Sequence, residues 1–284
     1  VEENQWSVDE PRTIDVDGVT KVKAGIIAGR IDVLVHDEPM TRVEVSEVSG
    51  QPIDVSLTNG VLELRHQTAG SRGLGWLGMS GQVVTGRTRE RAVISIAVPA
   101  GTTVALHTVN GDGLACGTRD TTLDTVSGSV MADDTAGLLT IGTVSGEAIV
   151  RHHSGRLVAK SVSGEITAPG YLESIRTNSV SGDTTLDLLG TPRDLALKTV
   201  SGNVSIRLSS EIGIEVSSKS VSGTLTVNDQ RLSGRGKNTH SEPGTTSKRM
   251  NIHASSVSGD IAIFHRDSDA RRDSAGIELH DGTL

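Results

Sequence analysis

A chain of 284 residues with 35% apolar content can fold, yet it holds 33 glycines and only four aromatic side chains, Trp6, Trp76, Tyr171 and Phe264. Any core must be built from Val, Ile, Leu and Ala, which suits a narrow layered interior rather than a thick globular one. A formal net charge of −8 and so few aromatics exclude a nucleic-acid partner, because phosphate binding needs a basic stripe and base stacking needs rings.

In chain order, Val1 to Gln5 is acidic and polar, without the basic and apolar regions of an export signal. No stretch reaches the ~18 apolar residues of a membrane helix. A cytoplasmic location is the expectation for the sequence as it stands, with cell-surface association following if an export signal lies upstream. Residues 1–98 read as an irregular β-rich region in which Ile31 to Val35, Arg42 to Val48, Pro52 to Leu57, Val61 to His66 and Ala92 to Val98 are strands separated by turn residues. Val48-Ser49-Gly50 reads as hairpin punctuation. This region is expected to begin the regular structure and to cap its open edge. Ala69 to Gln82 is a Gly-rich loop carrying Trp76.

Val98-Pro99-Ala100-Gly101 leads into a regular stretch, residues 99–265. Val109-Asn110-Gly111 is followed by Val-Ser-Gly at Val126, Val144, Val162, Val180, Val200, Val221 and Val257, at spacings of 17, 18, 18, 18, 20, 21 and 36. The last spacing is two periods, or one coil with a long insert. A hydroxyl residue precedes every Val: Thr108, Thr125, Thr143, Ser161, Ser179, Thr199, Ser220 and Ser256. Four and six residues after the Val come small or aliphatic residues, as in Val130 and Ala132 or Ile166 and Ala168, an alternation that marks a strand. The expectation is that Val points in, its Thr and Ser neighbours point out, and Gly makes the corner. A third inward group is drawn from Leu138, Leu157, Leu172, Ile175, Leu195, Ile214 and Val216. About eighteen residues in three short strands is the coil of a single-stranded triangular β-helix, a parallel β-solenoid, and one coil cannot stand alone because its few buried aliphatics do not offset the entropy of ordering it. Residues 230–249 form a polar insert with the composition of a mobile surface loop, and 266–284 a polar tail.

The Val-Pro-Ala-Gly entry and the run of Thr/Ser-Val-Ser-Gly-Asp/Glu coils resemble the bacterial putative-adhesin family, a β-strand-repeat domain of unknown function, over residues 10 to 265. The resemblance implies a right-handed β-helix with an adhesive or scaffolding role, and it supplies no catalytic residues to carry over.

Reactive patterns are sparse. Gly73-Leu74-Gly75-Trp76-Leu77-Gly78 spells a dinucleotide-binding fingerprint, but no convincing helix follows it to hold a phosphate. Asp112, Ser129, Glu147, Glu165, Asp183, Asn203, Thr224 and Asp260 form a polar corner whose carboxylates, about 4.8 Å apart, repel by roughly 1 kcal/mol per pair in water. Such a ladder could serve a carbohydrate-active β-helix enzyme through a carboxylate pair, yet no pair stands out and sugar-stacking aromatics are scarce. His152 and His153 face opposite sides of a strand and cannot chelate together, and the histidines read as surface residues. Cys116, the only cysteine, reads as a small core residue. Two exposed hydroxyl rows would suit an ice-binding face, although the second row is Ser where methyl contact needs Thr. The sequence therefore points to a non-catalytic scaffold or adhesin-like protein without cofactor or metal, meeting a protein partner or itself through Thr108, Thr125, Thr143, Ser161, Ser179, Thr199, Ser220 and Trp76.

Overall fold

The computed structural model describes residues 4–66, 90–232 and 236–266. Within them the chain is all-β, with twenty-three strands joined in one hydrogen-bonded network and no helix. The eighteen-residue repeat becomes a stacking register. Ala136–Thr143 lies parallel between Arg119–Thr125 and His153–Ser161, with Ile141 opposite Leu123 on one side and Ala159 on the other. After the Val-Ser-Gly corner the chain makes a shorter strand, Ala148–Arg151, which pairs with Val130–Asp133 and with the start of Ile166–Ser179. The repeat thus contributes two stacking segments, in Ile166–Ser179 run together as one strand, where three short strands were expected.

The core is a stack of alternate residues from both strands. Leu139, Ile141, Ala148 and Val150 are buried in one coil, and Leu157, Ala159, Ile166 and Ala168 in the next. Leu172, Ile175, Leu195, Ile214 and Val216 also face inward as expected. Leu138 does not: it is exposed, and Leu139 takes the inward place. Beside it Gly137 has φ 83° and Asp120 accepts the Leu138 N–H at 2.9 Å, a local kink that shifts the alternation by one residue.

The five amino-terminal strands read from the alternation fall on strands, while Asn4–Val8, Arg12–Val16 and the first half of Lys21–His36 are strands it did not mark, and parallel stacking already begins at Lys21–His36. That strand contributes to two layers. Its first half pairs with Val61–His66 and the start of Thr103–Cys116, its second half with Arg91–Pro99 and the end of Thr103–Cys116. Outside it the pairing turns antiparallel, through Ile53–Thr58 to Asn4–Val8 in one layer and through Thr41–Ser49 to Arg12–Val16 in the other.

At the other end, spatial order departs from chain order. The coil made by Arg249–Ser256 and Ile261–Arg266 sits between the coil of Asp194–Lys198 and Val204–Ser209 and the coil of Gly213–Ser220 and Leu225–Val227. Half of the polar insert is paired in strands. Gln230–Leu232 and Gly236–Glu242 run antiparallel along the outermost coil and close that end. The loop holding Trp76 and the fingerprint glycines, and the tail beyond Arg266, lie outside the described residues.

Candidate interaction surface

At every corner the Val and the hydroxyl residue before it lie the reverse of the sequence expectation, while the following Ser points out as expected. The preceding hydroxyl residues, Thr108, Thr125, Thr143, Ser161, Ser179, Thr199, Ser220 and Ser256, are only 2–7% exposed. They do not form an interaction surface. Six of them donate to the carbonyl of the Gly three residues on: Thr108 to Gly111 at 2.7 Å, Thr143 to Gly146 at 2.9 Å, Ser161 to Gly164 at 2.5 Å, Ser179 to Gly182 at 2.6 Å, Thr199 to Gly202 at 3.0 Å and Ser256 to Gly259 at 2.6 Å. Thr125 and Ser220 accept from the N–H groups of Gly128 and Gly223. The hydroxyl satisfies a backbone group that the corner takes away from water. Glycine is required by close approach, since a Cβ on Gly146 would collide with the Gly128 carbonyl, and one on Gly182 with that of Gly164.

The valines face outward instead. Val109, Val126, Val162, Val180, Val200, Val221 and Val257 are 42–56% exposed, and Val144 is half-buried. In space they run Val109, Val126, Val144, Val162, Val180, Val200, Val257, Val221, an order set by ladder bonds such as Ser163 N to Val144 O at 2.7 Å and Ser222 N to Val257 O at 2.9 Å. The following Ser hydroxyls are exposed but committed, for Ser145 Oγ donates to Val126 O and Ser163 Oγ to Val144 O, both at 3.1 Å. One hydroxyl row is inside and the other engages backbone, so two free hydroxyl rows for an ice lattice do not form.

The alternation of Leu157, Ala159 and Ser161, and of Leu139, Ile141 and Thr143, carried through to the motif, is the signal that would have placed the hydroxyl inside.

Beyond the Val and Ser rows lies the polar corner, with Asp112, Glu147, Glu165, Asp183 and Asp260 all exposed. Several of its side chains act structurally: Asp112 Oδ1 accepts from Ser129 N at 2.9 Å, and Asp183 Oδ1 from Asn203 N at 2.7 Å. On the other flank, two residues before the Val, stand exposed Lys160, Lys198 and Lys219. The corner is therefore an apolar ridge with a lysine on one side in three of the eight coils and a carboxylate on the other in five.

Among the described residues, several titratable groups elsewhere depart from the repeat. His153 is buried, against expectation, with Nδ1 2.9 Å from Thr135 Oγ1, and burial holds its imidazole below the ordinary value. His66 is likewise buried and shifted down by burial. Burial, with Asp133 and Asp134, raises the Cys116 thiol, which opposes a nucleophilic thiolate. Asn228, His240, Glu242 and His265 join the outermost coil and its covering strand Gly236–Glu242 to the inserted coil: Glu242 accepts from Asn228 Nδ2 at 2.9 Å and lies 3.0 Å from His240 Nε2. Sequence reading missed this cluster because only the stacking of the inserted coil brings His265 beside Asn228 and Glu242. Among the described residues no three His, Cys, Asp or Glu side chains converge as metal ligands, and no helix is long and apolar enough to cross a membrane.

Parallel coils stacked on a recurrent corner, with an apolar ridge outside, define a β-strand-repeat protein of solenoid-like architecture. The chain belongs to the family described as Toastrack DUF4097, whose model matches residues 31–264. Among solved structures it is similar to a "putative lipid binding protein" from Parabacteroides distasonis, at 12% identity and a TM-score of 0.46, covering 92% of this chain and 98% of that one. A "putative adhesin" from Parabacteroides merdae shares 8% identity at a TM-score of 0.40, with 91% and 97% covered. A "putative cell adhesion protein" from Clostridium sporogenes shares 14% at 0.31, with 90% and 100% covered. No curated protein matches the chain.

Proposed function

We propose that this protein is a non-catalytic, adhesin-like binding scaffold whose working surface is the outer ridge of the Val-Ser-Gly corners. The observation that carries the reading is the unbroken row of outward valines. Seven exposed valines and the half-buried Val144, one per coil at a strand spacing of about 4.8 Å, make an apolar stripe roughly 34 Å long. Soluble proteins seldom leave so continuous an apolar surface uncovered unless it meets a partner. In the same reading the coils wind right-handed, in keeping with the strong bias of connections between parallel strands. The structural use of the corner carboxylates fits a scaffold better than a carbohydrate-active enzyme.

The test is site-specific photo-crosslinking in the cells that make the protein, with the probe at Val162 or Ser163 on the ridge and at the exposed Arg207 away from it. Discrete adducts from the ridge positions, absent at Arg207, are expected. Equal labelling at all three, or none at any, would overturn the reading.

A further inference from the structure

We infer that the ridge is self-complementary and that the protein pairs with a second copy of itself as a parallel two-fold dimer along the valine stripe. This inference rests on the ridge being a binding surface and names the partner. Across one coil the outward residues run Lys160, Val162, Ser163, Glu165. Over the stack, the flank before the valines carries Lys160, Lys198 and Lys219, and the flank after them carries Asp112, Glu147, Glu165, Asp183 and Asp260. The stripe separates the three lysines on one flank from the five carboxylates on the other.

That arrangement selects one symmetry. When two copies face each other about a two-fold axis running along the stripe, the rods stay parallel and the flanks exchange, so each lysine row meets the other copy's carboxylate row. A two-fold axis perpendicular to the stripe sets lysines against lysines and carboxylates against carboxylates. In the parallel dimer Lys160 faces Glu165 of the second copy, with Glu147 and Asp183 one coil to either side, and Lys198 lies between the coils of Asp183 and Asp260. The valines of equivalent coils meet near the axis. Exposed ion pairs add little affinity and chiefly set orientation, so the apolar contact drives association and the charges decide its direction.

The contact is of moderate size. Five residues separate the lysine and carboxylate rows, at most about 16 Å along the chain, so a stripe roughly 34 Å long covers about 500 Å² per copy. That is near the lower limit of about 1,000 Å² in total for a specific interface.

Sedimentation velocity of the full chain from about 1 to 300 µM should show a reversible monomer–dimer equilibrium. Val162→Glu with Val180→Glu should abolish it while leaving the circular dichroism spectrum and melting temperature intact. Lys160→Glu alone, and Glu147→Lys with Glu165→Lys alone, should each weaken dimerisation at least tenfold, and mixing the two proteins should restore it. A fold defect cannot produce that rescue. Direction is read by disulfides in a Cys116→Ser background. Val126→Cys and Val257→Cys should each cross-link to itself if the rods are parallel. If the two cross-link only with each other, the rods are antiparallel and the inference fails. A chain that stays monomeric throughout also overturns it. In that case ridge photo-adducts to a different protein would leave the broader binding reading standing, and their absence would remove both.

Discussion

Ser179 donates its hydroxyl to the Gly182 carbonyl at 2.6 Å inside a corner that hides both residues from water. Its neighbour Val180 is 47% exposed. One pair of atoms thus decides which side of the motif is core and which is surface.

Removing that hydroxyl strands a buried carbonyl. Ser179→Ala should cost about 1–3 kcal/mol, the desolvation penalty of an unsatisfied acceptor. Ser179→Thr should be nearly neutral, because Thr108, Thr143 and Thr199 make the same bond in other coils. Urea unfolding at neutral pH measures both, and equal midpoints for the wild type and Ser179→Ala would refute the role given to the hydroxyl.

Substitution by Glu should separate the two faces of one coil. Val162→Glu places a charge on an exposed position and should shift stability by no more than about 0.5 kcal/mol. Ile166→Glu, only four residues on, buries an unpaired carboxylate and should cost more than about 3 kcal/mol. Thermal melts of the two variants compare them directly.

Gly182→Ala drives a methyl into the Gly164 carbonyl of the adjacent coil, and backbone on both sides must move. A loss above about 3 kcal/mol is expected. Gly101→Ala is the control: its φ of 87° disfavours a side chain, but a Cβ there meets nothing within 4 Å, so a loss of about 1 kcal/mol follows from conformation alone. Similar losses from the two variants would mean that inter-coil approach is not what demands glycine.

Stability should fall on the acid side of neutrality. Burial lowers the pKa of His153 and His66 in the fold from an ordinary value of 6.5, so the unfolded chain takes up protons first. Their contribution is fully present above 6.5 and is lost as pH drops from there toward the lower folded values. Urea midpoints measured between pH 8 and pH 5 should show the decline. His153→Gln should flatten it, and an unchanged slope in that variant would remove His153 from the account.

Much of the architecture is legible in the amino acids. The eighteen-residue spacing of Val126, Val144, Val162 and Val180 sets the coil length, and it reappears as the register that puts Ile141 opposite Ala159. Small and hydroxyl-bearing residues at the corner are equally plain, because a narrow stack of coils tolerates nothing larger where backbones touch. Three features belong to the folded molecule alone. The phase of the alternation at the corner is ambiguous, since moving the inward set by one residue exchanges Thr143 with Val144 and both suit a strand. The place of Arg249–Ser256 between two coils that precede it in the chain has no marker, because each coil offers the same ladder of N–H and C=O groups to any neighbour. The split of charge across the ridge exists only once Lys160 and Glu165 are seen on opposite sides of Val162. Local periodicity prescribes that coils form and stack; which atoms reach solvent is settled when the corner carbonyls find their hydroxyl partners inside.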